Sequence, residues 1–488
     1  MKKRIFATCL ACVLLLTTAA CGTNTTTSSG AADPETSVSA VSEVSETSEG
    51  SETGEEEDIP NFNGARVCLA TWGDSTYAPP DNEEGEREAA WRAEMEEKYN
   101  FKLEYVTLPN DGYEAAVVAS CVAGEPVADA FDIMMDYTTG MMAKGLLYPL
   151  DEIQSWDMVN GDNVLAAAAK AMTWSDGHTY GVKMQEGPFF DMKCITLFNK
   201  RIADDLGIDI YADYENGDWT WAKMREYASM ATKDNDGDGE NDTWGWVGSE
   251  ALMTLNYVGS TGTELLDADH KVHYNTPEVV SALEESAAMK NFWYPVNDYA
   301  YQQKFAEGGA LFMGAVQPWE MYSLSEMEDD FGLVPFPIPE KGDDFYTIAD
   351  SVTVTVIPKN ATDPEATAFV LKLLAEEPRP WEFDDEGNYL LENQEEENPY
   401  WYMGGIGDQL RDEESFENLD TIATNENFYF DMQRMYNVYW ANPGFTNMIN
   451  GMYQNGKTAQ QVIEENEAGV QAAVDQYIAD QQAAAATE

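Results

Sequence analysis

The sequence predicts an α/β protein made of two halves, and three observations carry that reading. From Arg66 onward, short apolar runs with strand character alternate with amphipathic helical segments, the pattern of a largely parallel sheet joined by right-handed crossovers. The chain has 488 residues, 44% hydrophobic and 24% charged, a globular composition in a length suited to two or three domains. Its N-terminal apolar stretch, Ile5 to Ala20, is 16 residues, short of a membrane span.

Taken in order, the first element is an export signal. Lys2, Lys3 and Arg4 precede that apolar stretch, which ends in Thr18-Ala19-Ala20-Cys21-Gly22. Small residues before a cysteine resemble a bacterial lipoprotein box, so residues 1–20 are expected to be cleaved and Cys21 to carry lipid that holds the chain to the membrane. Residues 21–60 follow, rich in Thr, Ser, Glu and Gly. Such a segment buries too little surface to offset its ordering entropy, and it is expected to act as an acidic tether.

The folded part then opens with a strand, Arg66 to Thr71, bounded by Gly64 and Gly73. A helix from Glu84 to Tyr99 places Trp91, Met95 and Tyr99 four apart, and strand Lys102 to Val106, helix Tyr113 to Ala123 and strand Phe131 to Met135 continue the alternation. Ligand sites in such sheets lie at the carboxyl ends of strands. There the sequence offers Trp72 with Asp74, and Asp136 with Tyr137, each an acid near an aromatic. Further elements are strand Ile195 to Asn199, a helix opened by Trp219-Thr220-Trp221 and running to about Thr232, helix Pro277 to Asn291, strand Ala310 to Met313 and a helix starting near Trp319. Strands Gly332 to Val334 and Val352 to Ile357 precede a helix from Pro364 to Ala375, and a last helix from Thr458 to Gln482 lines up Ile463, Val470, Val474 and Tyr477. Residues 378–418 are acidic and broken by Gly and Pro, reading as surface elaboration.

Charge narrows the function. With 27 Lys and Arg against 89 Asp and Glu, the formal net charge is −62, so nucleic acid would be repelled. Three histidines leave little material for histidine acid–base chemistry,. Of six cysteines, the three beyond Cys21 (Cys68, Cys121 and Cys194) sit in apolar runs and read as buried small hydrophobes,.

Several segments together resemble the family 1 extracellular solute-binding proteins, the carbohydrate-capturing lipoproteins of ATP-binding-cassette importers. They are Phe131-Asp132-Ile133 with Gly145-Leu146-Leu147-Tyr148-Pro149-Leu150-Asp151, Leu197-Phe198-Asn199-Lys200, Trp219-Thr220-Trp221, Gly308-Gly309-Ala310-Leu311-Phe312-Met313 and Pro335-Phe336-Pro337. The resemblance implies a type II periplasmic-binding-protein fold, two α/β lobes around a ligand cleft. Lobe one would be 61–193 plus 340–377 and lobe two 194–339 plus 378–482, with 483–488 a tail; the hinge strands would be Ile195 to Asn199 and Gly332 to Pro337. It implies a monomer that binds a carbohydrate without altering it and passes it to the permease of an ABC transporter. A surface adhesin and a glycoside-processing enzyme are the alternatives. By the same resemblance Trp319, with Glu320 beside it, is the best ring-stacking candidate, Asp136 fits a hydroxyl-binding acid, and Trp246 and Glu250 are lobe-two candidates.

One loop suggests a metal. Asp234, Asp236, Asp238 and Asp242 stand at positions 1, 3, 5 and 9 of a loop with Gly239 at 6 and the Glu240 carbonyl at 7, the spacing of a Ca²⁺ loop. Position 12 is Gly245, so the closing bidentate ligand is missing. Gly451-x-x-x-x-Gly456-Lys457-Thr458 matches a phosphate loop in letters, yet no buried strand precedes it; the expected role is a helix boundary capped by Thr458.

Overall fold

The computed structural model describes residues 60–72, 83–109, 111–161, 164–184, 191–267, 269–295, 300–375 and 403–485. The signal segment, Cys21, the tether up to Ile59, Asp74, residues 378–402 and the tail beyond Ala485 lie outside them, as does the side chain of Trp72. No helix among the described residues is long and apolar enough to cross a membrane.

The first lobe begins with β1 (Ala65–Trp72), α1 (Glu83–Tyr99), β2 (Phe101–Leu108), α2 (Tyr113–Val122), β3 (Ala130–Met134), α3 (Thr138–Ala143) and α4 (Ala166–Ala171). The chain then enters the second lobe through β4 (Ile195–Asn199), α5 (Lys200–Leu206), α6 (Ile210–Glu215), α7 (Trp221–Ala231), β5 (Trp244–Val247) and α8 (Glu250–Gly259). It continues there with α9 (Pro277–Met289), α10 (Ala300–Ala306), β6 (Ala310–Val316) and β7 (Phe331–Pro335). After β8 (Thr347–Ala349) it returns to the first lobe with β9 (Thr353–Val356) and α11 (Pro364–Ala375). The remainder is α12 (Glu413–Ala423), β10 (Phe428–Phe430), α13 (Phe445–Tyr453) and α14 (Ala459–Ala485).

The first sheet has strand order β2-β1-β3-β9. β1 runs parallel to β2 and β3, and β9 closes the edge antiparallel to β3, Met134 facing Thr353. Successive side chains of a strand point to opposite faces, so Val67 and Leu69 pack toward Phe101 and Phe369 while Cys68 and Ala70 face Val117 and Phe131. All three described cysteines are buried free thiols, as the apolar runs around them predict.

The second sheet, β5-β6-β4-β7, is not largely parallel. Only β5 and β6 are parallel, because β4 pairs antiparallel with both β6 and β7. The chain crosses between the lobes next to the strands expected to form the hinge. β4 lies inside this sheet and β7 at its edge, every residue of both buried; the return crossing is at 347–352, where β8 pairs with β10 and the next residues lead into β9. The Lys193 amide donates to the Ile348 carbonyl at 2.7 Å and the Asp431 amide to Ala349 at 2.8 Å. Three short segments thus lie side by side at the junction.

Short helices are set by their N-caps. Asn199, Asp209, Thr220, Ser249 and Thr276 each accept a backbone N–H from the first turn of α5, α6, α7, α8 and α9, satisfying donors a helix leaves open. The end of the acidic stretch is core-facing: α12 buries Leu419 and Ile422, Asn418 donates to the Leu333 carbonyl, and Ser415 Oγ accepts the Leu333 amide. The phosphate-loop letters fall across α13 and the turn before α14. There Lys457 pairs with Glu465, and Thr458 caps the Gln461 amide at 3.2 Å. α14, with Ile463, Val470 and Val474 buried, packs on α3 of the first lobe and on α9 of the second.

Candidate functional site

β3 ends at Met134, and a single 3-10 turn, Met135–Tyr137, carries the chain off the strand before α3. That geometry puts Asp136 and Tyr137 at a strand's carboxyl end, with the Tyr137 ring 44% exposed. Opposite them lies the segment after β10, where Trp440 is 65% exposed and stands edge-on to the buried Tyr439 ring at 4.7 Å. Together with Lys144, Arg434, Tyr477 and Gln481 these residues line a cavity of about 570 Å³. Gly140 forms part of its wall because α14 comes close: a Cβ there would stand 3.0 Å from Gln481 Oε1.

The floor of this pocket is charged. Arg434 Nε donates to Asp136 Oδ2 at 3.1 Å and its NH1 to Asp350 Oδ2 at 3.3 Å, while Ser351 Oγ donates to Asp136 Oδ1 at 2.8 Å. The other oxygen of Asp350 holds the Lys193 ammonium. Beside them Asp431 is buried and its carboxyl is pushed up to about 8 by loss of solvent, against which a hydrogen bond from Gln433 pulls the other way. Asp431 Oδ2 has no hydrogen-bond partner. Flat rings at the rim and groups that donate and accept hydrogen bonds on the floor suit a ligand with hydroxyls and apolar faces.

The other residues expected at the site are dispersed. Trp319 is 46% exposed in the 3-10 turn Pro318–Leu324, beside Tyr322 at 50%; the element is a 3-10 turn and not the α-helix expected there. A bulge helps aim it: Ile195 pairs with Val316 and Thr196 with Gly314, leaving Ala315 unpaired at φ 57°,. Glu320 must be withdrawn as a ligand group. It is 1% exposed and accepts from Tyr301, Gln302 and the Gln317 amide, so it is consumed in closing the turn. Trp246 is likewise a core residue, fully buried, stacked on Trp293 at 5.8 Å with its indole donating to Met289. Glu250 is half-buried at the start of α8; the Tyr439 phenol is raised chiefly by burial, with the charges of Asp350, Asp431 and, least, Glu250 adding to it. Trp219 and Trp221 pack inside the second lobe.

The aspartate loop folds as a tight exposed turn. Asp234 accepts the Gly237 and Gly239 amides at 2.6 and 2.9 Å, which hold its carboxyl below the usual range. Gly237 and Gly239 have φ of 79° and 96°, a region L side chains avoid,. Carboxylate oxygens of Asp234, Asp236 and Asp242 lie within 4.8 Å of one another. Asp238 is not in that group; it accepts the Glu240 amide instead. The hard oxygen donors fit Ca²⁺ in kind, with three carboxylates gathered where four were expected.

A second cavity, about 670 Å³, lies in the second lobe among Trp221, Ser260, Glu285 and Asp343. Its tryptophan is 7% exposed and bonded to Ser260, so it presents no free ring face. The pocket of Tyr137 and Trp440 is the better candidate. Arg434 and Trp440 were not among the residues expected from sequence: the aromatic run Tyr436 to Trp440 was the available signal, and only folding shows which of its rings faces outward.

Comparison with known proteins agrees with the architecture. UspC of M. tuberculosis aligns with a TM-score of 0.60 at 14% identity, covering 84% of this chain and 100% of that one. The sugar-binding protein MalE of Xanthomonas citri gives 0.58 at 13% identity over 84% and 98%. An ABC substrate-binding protein of Listeria monocytogenes, in complex with cycloalternan, gives 0.54 at 15% identity over 83% and 98%. Identities this low speak to the fold alone. No curated protein sequence matches. The family model for bacterial extracellular solute-binding proteins matches residues 82–397, well over half the chain, and this protein is a member of that family.

Proposed function

We propose that the protein captures a neutral carbohydrate, an oligosaccharide, at the Tyr137–Trp440 pocket and delivers it unaltered to an ABC transporter permease. The observation that carries this reading is the pair of exposed rings at the rim of a hydrogen-bonding floor. The Xanthomonas relative is described as sugar-binding and the Listeria relative is in complex with cycloalternan, which supports the ligand class. Calorimetry against a panel that includes linear maltooligosaccharides and cycloalternan, with chromatography of the recovered glycan, is the test. Binding with intact glycan is expected; cleavage products, or no heat from any member, would overturn the reading. Trp440→Ala should lose affinity with an unchanged melting temperature, since its ring is mostly solvated. Trp319→Ala should weaken longer glycans more than shorter ones.

Two accessory features belong to the same reading. Cys21 is the lipidation site that anchors the chain, so Cys21→Ala should release the protein into the medium. Calcium at Asp234, Asp236 and Asp242 pins the loop before β5, neutralising carboxylates that otherwise repel one another,.

A further inference from the structure

We infer that Arg434 is a positioning residue that ties the pocket to the hinge, so that whatever engages Asp136 also acts on the segments joining the two lobes. The inference rests on the pocket reading above and extends it from where a ligand sits to how its presence is transmitted.

The chain of contacts is continuous. Asp136 belongs to the first lobe at the pocket wall, and both its oxygens are engaged by groups from elsewhere: Oδ2 by Arg434, from the turn after β10, and Oδ1 by Ser351, from the return crossing. Arg434 spans from Asp136 to Asp350 with different nitrogens of one planar group. Asp350 in turn holds Lys193, which precedes β4 on the outward crossing. The pocket end of this path is the more exposed, 23% for the Asp136 side chain and 21% for Arg434, against 2% for Asp350 and 8% for Lys193. One end is therefore open to a ligand and the other is sealed in the hinge.

Two consequences follow from charge and geometry. Two cations face two anions, so the path is neutral, and displacing any member leaves a buried charge with half its compensation. A ligand hydroxyl that bonds Asp136 must donate to an oxygen that already accepts from Arg434 or Ser351, and so draws on the same carboxylate charge that holds the hinge contact,. Lysine cannot reproduce this role, because a single ammonium lacks the fixed, separated donors with which a guanidinium bridges two carboxylates.

The test uses the full chain without any glycan. Nitroxide pairs, one label on each lobe, report the interlobe distance distribution by pulsed electron resonance. Arg434→Met is expected to broaden the wild-type distribution, and Arg434→Lys to broaden it too while keeping a melting temperature near wild type, which separates loss of the bridge from loss of stability. Arg201→Met, which removes an ion pair to Asp329 lying wholly within the second lobe, should leave the distribution unchanged. Should the methionine variant fail to fold, the lysine variant decides by the same measurement. A wild-type distribution in either folded Arg434 variant overturns the inference even if glycans bind; an empty glycan panel would overturn the carbohydrate reading and leave this result standing.

Discussion

Two clusters of carboxylates in this molecule meet opposite surroundings. In the aspartate loop, Asp234, Asp236 and Asp242 crowd together on an exposed turn and are answered by backbone amides. At the hinge, Asp136, Asp350 and Asp431 gather largely out of water, and there Lys193, Arg434 and a retained proton offset them. The difference shows what burial demands. Water screens like charges well enough for the loop to be left short of counter-charge until a cation arrives, whereas the hinge must supply each counter-charge from the chain itself.

The largest effect should come from breaking that internal supply. Lys193→Met leaves Asp350 buried with Arg434 as its remaining cation and is expected to lower stability by about 3–5 kcal/mol in urea denaturation; a loss no larger than that of a surface pair would erase the contrast. Next comes Asp431. Its folded carboxyl titrates at about 8, against about 4 for an unfolded Asp. The folded state binds the extra proton in that window, so this group's contribution is full below about pH 4 and is lost as pH rises toward 8. Asp431→Asn should therefore raise the melting temperature relative to wild type at pH 8 and leave the difference near zero at pH 4. At the loop, calcium at a hundred times its dissociation constant should stabilise wild type by about 2.7 kcal/mol, and Asp236→Ala should abolish that gain in calorimetric melting. The smallest effect is salt: raising ionic strength to about 1 M shortens screening to about 3 Å and should stabilise the calcium-free loop by less than about 0.5 kcal/mol, without rescuing Lys193→Met.

Legibility in the sequence followed the same division between local and long-range causes. Ile195–Asn199 and Pro364–Ala375 were readable to the residue because strand and helix signals are local. Helices α5, α6 and α8 run for six to ten residues, too short for periodicity to declare them, although Asn199, Asp209 and Ser249 announced their starts. Trp246 and Trp319 look alike as letters, both near the end of a strand. One fills the space under Trp293 and the other lies beyond the sheet's last pairing, a distinction made by neighbours distant in sequence. The aspartate spacing located the loop, but which carboxylates converge depends on the turn's dihedrals, and Asp238 turns to its own local amide. Gly332 to Pro337 is apolar and continuous, which suits a buried sheet strand as well as a crossing one, whereas the pairing of Thr347–Ala349 with Phe428–Phe430 joins segments about 80 residues apart and leaves no local signal. Arg434 gave no local signal at all, since its partners are 298 and 84 residues away.

The long helix Ala459–Ala485 rests on both lobes and is the last described element to be synthesised. Each sheet is complete without that helix, so a form in which it has come away keeps both lobes and loses the brace between them. One detachable helix thereby acts as a clasp, governing how firmly two separately built lobes hold together.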